Sequence, residues 1–382
     1  MDRRAILAAV AALPLGACAP PRPAAPTDVR LDHLRAWTAL EARTLLSLAG
    51  IEGIAPRHTV DAWRILYPST DSAGRPTQLS GLLALPRAPA GGLVSWQHGT
   101  TTTRTAVPSR LSIDGLSAAL VFAGTGRAVV APDYVGLGDS ALIHPYLVAD
   151  DAARAVNDLL AAARQVAGVP KTPPFLAGFS QGGTASLAAH AALEAKGERV
   201  RASASVSGAQ NLRTVSFPVA LAGGSPNHPV YLAYLVRGYC ACYGQPLESV
   251  LTPTAAAQVR DLFDTPRKPE EVMAGLPRRP RQMFSPGFLA AFDNNTANWL
   301  LDALAANETS HFTPKAPIRL YYGTADRDVV PAEAMQTAAE MQARGGEAFA
   351  VKVGDYDHDN VMLHAAPLIF RWLAELEGQG HA

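Results

Sequence analysis

The run Gly178-Phe179-Ser180-Gln181-Gly182 constrains this chain more than any other stretch. It fits G-x-S-x-G and lies between an apolar run at 174–179 that reads as a buried strand and a stretch at 183–196 that reads as a helix. A strand that passes into a helix through small residues makes a tight turn. That turn lifts the central side chain clear of the sheet, above the positive end of the helix dipole. The pattern alone is common, but between a strand and a helix it marks a nucleophile, and Ser180 is the first candidate catalytic residue.

The surrounding sequence repeats the strand-to-helix arrangement. Apolar runs at 93–97, 128–132, 174–179 and 202–206 alternate with helical stretches near 113–122, at 147–167 and at 183–196. After a break the alternation resumes with a strand at 318–322, a helix at 332–343, a strand at 348–353 and a last helix through Trp372. Alternation of this kind builds a parallel sheet from βαβ units. Ahead of it, 60–67 and 79–85 flank a turn rich in Ser, Thr, Asp, Gly and Pro and read as an antiparallel hairpin.

The break runs from Gly208 to Pro317 and is rich in proline and in aromatics such as Phe217, Tyr231, Tyr234, Phe284 and Trp299. We read it as a lid over the carboxyl edge of the sheet, where open α/β sheets bind ligands; the alternative is an excursion with a small core of its own. The expected fold class is therefore α/β, with a mostly parallel central sheet flanked by helices and a largely helical cap insertion. Its core would comprise 51–209 and 316–382 and its cap 210–315. A length of 382 residues suits one large domain with an insertion, since a single core stops growing near about 250–300 residues.

The first residues read as an export leader. Arg3 and Arg4 precede an apolar stretch at 5–15, which is shorter than the roughly 20 residues a bilayer span needs. The sequence Leu15-Gly16-Ala17-Cys18 resembles a bacterial lipoprotein box. Cleavage would remove 1–17 and leave a lipid on Cys18, so the expected location is the bacterial cell envelope, on a periplasmic or outer-membrane face, or otherwise secretion. Residues 18–50 read as a Pro-rich linker and N-terminal segment. Of the remaining cysteines, Cys240 and Cys242 are too close in sequence for an unstrained disulfide, and packing, a local bridge, a redox role or a metal role stay open. Lys+Arg and Asp+Glu are 33 each, a formal charge of +0 that offers no basic surplus for nucleic acid.

A serine hydroxyl needs a base, and the base needs an orienting acid. The strand at 318–322 runs into Gly323-Thr324-Ala325-Asp326-Arg327-Asp328-Val329, which presents two carboxylates at a strand end. The G-x-x-D-x-x-V spacing common in hydrolases of this kind selects Asp326, with Asp328 as rival. The next strand ends in Gly354-Asp355-Tyr356-Asp357-His358, making His358 a loop histidine at the same sheet edge and His364, inside the helix, the weaker base. The order Ser, Asp, His along the chain is that of α/β-hydrolases. Two N–H groups should hold a tetrahedral oxyanion, one from Gln181 and one from the turn Gln97-His98-Gly99-Thr100, with Thr100 preferred, Gly99 next and His98 shaping the loop.

Two competing motifs fail on their own requirements. Gly136-x-Gly138-x-x-Ala141 lacks a dinucleotide site's acid at the end of the following strand, where Ser180 stands. The acid-rich run at 355–360 lacks a calcium loop's sixth-position glycine and has Ala366 at the twelfth. No metal and no cofactor are expected.

Taken with the element order, several stretches resemble the cap-bearing secretory lipase family of α/β-hydrolases. They are His98-Gly99-Thr100, Asp133-Tyr134-Val135-Gly136-Leu137-Gly138, His144-Pro145-Tyr146-Leu147 and 178–183, together with the long insert. The resemblance spans about 55–375. It implies a serine esterase or lipase acting on small-molecule or lipid esters, with the acyl chain held under a helical cap. A peptidase or an acyltransferase would use the same triad, and a non-catalytic envelope lipoprotein could keep the same fold.

Overall fold

The computed structural model describes residues 28–264 and 267–379. The expected leader at 1–17 and the lipidation site Cys18 lie outside the described residues. The strands are β1 (Arg30–Trp37), β2 (Val60–Thr70), β3 (Pro76–Pro86), β4 (Leu93–Gln97), β5 (Ala128–Pro132), β6 (Phe175–Phe179), β7 (Ala202–Val206), β8 (Ile318–Gly323) and β9 (Ala348–Gly354). They form one sheet in the order β1-β2-β3-β5-β4-β6-β7-β8-β9, antiparallel from β1 to β5 and parallel from β5 onward. The central strands β4, β5 and β7 are buried at every residue, which is why they read as unbroken apolar runs.

The helices before the insert are α1 (Ala39–Leu48), α2 (Ile113–Ala118), α3 (Ala149–Ala163) and α4 (Gln181–Ala195). α2 continues into a π-helical turn over Ala119–Ala123. The insert carries α5 (Phe217–Ala222), α6 (His228–Tyr243), α7 (Pro253–Asp264), α8 (Pro269–Ala274), α9 (Pro286–Asp293) and α10 (Trp299–Ala306). α11 (Ala332–Ala343) and α12 (His358–Gln379) return the chain to the sheet. Apolar side chains of α1, the π-helical turn and α12 cover one face of the sheet, and those of α3 and α4 cover the other. Among the described residues no helix is long and apolar enough to cross a membrane.

The segment ahead of residue 51 is not all linker: Arg30–Trp37 is the edge strand, paired antiparallel with β2, and Thr38 caps α1 in a capping box with Glu41. Its Arg, Asp and His residues hid the strand, because an edge strand keeps one row of side chains in water. The insert also holds a core of its own. Phe217, Tyr234, Tyr239, Phe284 and Phe288 are buried together there, and Phe217 meets Phe288 edge-on at 5.9 Å. Most of the insert's aromatics therefore hold the insert together and leave few to line a site.

The insert is pinned at both ends of its path. Glu333, buried near the start of α11, accepts the N–H groups of Gln210 and Asn211 and the hydroxyl of Ser216. Glu308 accepts Arg213 N–H at 2.8 Å. Cys240 and Cys242 are both free on α6, Cys240 packed in the insert's core and Cys242 Sγ 3.4 Å from Ser72 Oγ. Burial pushes the Cys240 thiol up to about 12 and raises Cys242 as well, so both stay protonated.

Candidate active site

Three strand ends meet at the carboxyl edge. β6 ends at Phe179, and Ser180 stands between it and α4 with a φ of 54°, a left-handed conformation that costs a non-glycine residue energy and is held by its surroundings. Ser180 N–H donates to Val206 O at 2.8 Å, which fixes the turn against β7. The flanking glycines are required by contact: a Cβ on Gly182 would run into the Gln97 carbonyl, and one on Gly178 into the Gly182 carbonyl. α4 begins at Gln181, two residues before the helix expected from sequence, because Gly182 and Gly183 belong to its first turn and not to a loop.

Asp326 follows β8, and His358 opens α12 directly after β9. His358 Nδ1–H donates to Asp326 Oδ2 at 2.8 Å, and His358 Nε2 accepts Ser180 Oγ–H at 3.0 Å. Asp326 Oδ1 is held by the N–H groups of Asp328 (3.0 Å) and Val329 (2.9 Å), so the carboxylate cannot turn away from the imidazole. All three side chains are buried, with Ser180 and His358 7% exposed and Asp326 3%. α12, and with it His358, is fastened by Trp372 against Phe175 and by Arg127 to Glu377 at 2.9 and 2.6 Å.

Burial would lower the His358 pKa, but the hydrogen bond to Asp326 and the charges of Asp326, Asp328 and Asp359 outweigh it, so the value lies above the ordinary histidine value. His358 must be neutral to accept the Ser180 proton. The acid limb of kcat/KM should therefore have its midpoint above about pH 6.5, the unperturbed imidazole value, and activity should rise as pH increases through it. The same pairing contributes folding stability that is complete below about pH 6.5 and lost as pH rises through the raised value. A pH–rate profile with its acid limb below that value would contradict the pairing.

The rivals are placed elsewhere. Asp328 faces the insert, where its Oδ2 accepts Asn227 Nδ2–H at 2.8 Å and Tyr231 O–H at 3.1 Å. His364 is exposed on α12 and stacks on Tyr356 at 3.8 Å. His98 packs against Tyr134 with the rings tilted and their centroids 4.5 Å apart, and its Nδ1–H donates to Gly99 O at 2.7 Å.

The expected oxyanion donors share this edge. Gly99 N–H is already given to Asp114 Oδ2 at 3.0 Å, whereas no acceptor among the described residues takes the N–H of Thr100 or Gln181. Asp114 also accepts Trp96 Nε1–H at 2.8 Å, which ties the 98–100 loop to the start of α2. Each donor residue has a prop. Thr100 Oγ1 shares a hydrogen bond with the Tyr146 hydroxyl at 2.9 Å. Gln181 Nε2–H donates to His144 Nε2 at 2.7 Å, while His144 Nδ1–H donates to Val135 O at 2.6 Å. Burial lowers His144 to about 4, which keeps it neutral and able to accept at Nε2. His144 and Tyr146 stand in the His144-Pro145-Tyr146-Leu147 stretch, where residues ahead of a helix would ordinarily pack its start. They lie ahead of α3, which begins at Ala149, and buttress the two donor residues instead. Asp114 was missed altogether: a lone carboxylate 15 residues beyond the turn it braces carries no sequence signal. Among the described residues no group of three or more His, Cys, Asp or Glu is arranged to hold a metal ion.

Solved structures share the fold. A Legionella pneumophila protein assigned as a hydrolase superposes with a TM-score of 0.83 at 25% identity, covering 92% of this chain and 97% of its own. The chain is an α/β-hydrolase by fold. The rice cell wall degrading esterase LipA from Xanthomonas oryzae matches this α/β-hydrolase with a TM-score of 0.79 at 24% identity, over 94% of this chain and 98% of that one. Candida antarctica lipase A in its closed state matches with a TM-score of 0.68 at 14% identity, over 93% and 82%. No protein-family model matches the chain, and no protein of curated function matches its sequence.

Proposed function

We propose that this α/β-hydrolase is a serine carboxylic ester hydrolase, an esterase or lipase working through an acyl-enzyme. The observation that carries the reading is the unbroken path from Asp326 through His358 to Ser180 Oγ, beside two unused N–H groups. In the first half-reaction His358 Nε2 takes the Ser180 proton as Oγ bonds to the ester carbonyl carbon. The negative carbonyl oxygen is received by Thr100 and Gln181 N–H. Collapse breaks the carbon–alkoxy bond, and His358 returns its proton to the departing alcohol. In the second half-reaction a water gives its proton to His358, attacks the acyl carbon and frees the acid, restoring Ser180 Oγ–H. Asp326 holds the imidazole tautomer and stabilises its positive charge throughout.

Neighbours described as esterase and lipase add to this reading. The experiment is a comparison of p-nitrophenyl acetate with p-nitroacetanilide. The reading expects the ester to be hydrolysed and the anilide to be slower by orders of magnitude. Hydrolysis of the anilide alone would replace it with a peptidase.

A further inference from the structure

Two cavities meet at Ser180, and they differ greatly in size. The larger, about 730 Å³, is lined by His358 and Thr100 and walled by apolar side chains such as Phe122, Met362 and Leu363. The smaller, about 50 Å³, lies under the insert beside Gln181 and is closed by Leu212, Phe217, Leu232 and Leu235. Tyr231 borders both, its hydroxyl bonded to Asp328 at 3.1 Å, and forms the partition. The larger cavity is not built under the insert: Tyr231 is the insert's share of it, and the rest comes from the 96–122 segment, α12 and residues such as Ile51 and Phe179.

The triad decides which part of an ester enters which cavity. In the tetrahedral adduct the carbon bound to Ser180 Oγ carries the oxyanion, the alkoxy oxygen and the acyl chain. The oxyanion is claimed by Thr100 and Gln181 N–H, and the alkoxy oxygen must lie within hydrogen-bond reach of His358 Nε2 to receive its proton. His358 lines the larger cavity and not the smaller, so the alcohol leaves through the larger one and the acyl chain points away from His358. At roughly 10–15 Å³ per water-sized group, the smaller cavity holds about four such groups. We infer that the substrates are esters of a short acyl group, acetyl to butyryl, with a bulky apolar alcohol. This keeps the acyl group under the insert, as the sequence implied, and sets its length; it rests on the ester-hydrolase reading above.

The test varies one side of the ester at a time. Among p-nitrophenyl esters, kcat/KM should fall by about 10²-fold or more from acetate to octanoate. Among acetates of unbranched alcohols, whose leaving abilities are alike, it should rise by about tenfold or more from ethyl to decyl. Leu232→Ala should raise the octanoate-to-acetate ratio, and Ser117→Trp, on the wall of the larger cavity, should lower the decyl-to-ethyl ratio. Because Leu232 is buried in the insert's core, the Ser117 variant keeps the test independent of that site's folding. Preference for octanoate over acetate in the parent, or loss of octanoate selectively in Ser117→Trp, overturns the assignment while leaving an ester hydrolase in place. Inertness of the folded parent to every ester and to a fluorophosphonate overturns both readings.

Discussion

Ser180→Ala should fold as the parent does and hydrolyse esters about 10⁵–10⁶-fold more slowly, the size of effect that removing a triad nucleophile has in hydrolases of unrelated fold. Among the described residues the side chain makes one hydrogen bond, to His358 Nε2, so its loss leaves the turn's packing intact. The turn is held by main-chain contacts, Ser180 N–H to Val206 O and the close approach of Gly182 to Gln97, and alanine keeps both. Alanine pays the same cost as serine for a φ of 54°. Far-UV circular dichroism and the thermal midpoint should therefore match the parent while kcat falls. An activity loss below about tenfold would place the nucleophile elsewhere.

Asp326→Asn should cost about 10⁴-fold in kcat with little change in KM, because an amide in that position favours the wrong imidazole tautomer and leaves the developing imidazolium unpaired. Asp328→Asn should cost less than about tenfold: its partners are Asn227 and Tyr231, and an amide oxygen can accept from both. The two carboxylates lie two residues apart on one loop, so steady-state kinetics of the pair separates the acid that touches His358 from the one that braces the insert. Equal losses, or the reverse order, would contradict the assignment of Asp326.

Legibility in the sequence followed burial. The central parallel strands announce themselves because both faces are covered, and Ser180, Asp326 and His358 stood out as candidates because each follows a strand of the parallel run at its carboxyl edge, although β9, ahead of His358, is a half-buried edge strand. β1 did not announce itself, since an edge strand with Arg30, Asp32 and Arg35 looks like any polar stretch. The donor turn and the preference for Thr100 were legible as His98-Gly99-Thr100, but the physical reason was not: Asp114 reaches back from α2 to take the Gly99 N–H. The insert's length and aromatic content suggested a site cover, yet those rings pack mainly on one another. Cavity sizes depend on side chains brought together from distant segments, such as Phe122 and Met362, and no local pattern encodes that meeting.

The central claim is that an acyl group passes through Ser180 Oγ. The most direct measurement is the mass of the protein quenched in acid during turnover of p-nitrophenyl acetate, followed by peptide mapping. The account predicts one acetyl group, carried on the peptide containing Ser180, absent from Ser180→Ala and formed at the rate of a p-nitrophenol burst. Acetyl on any other residue, or turnover by the parent with no acylated protein under conditions where deacylation is rate-limiting, would contradict it.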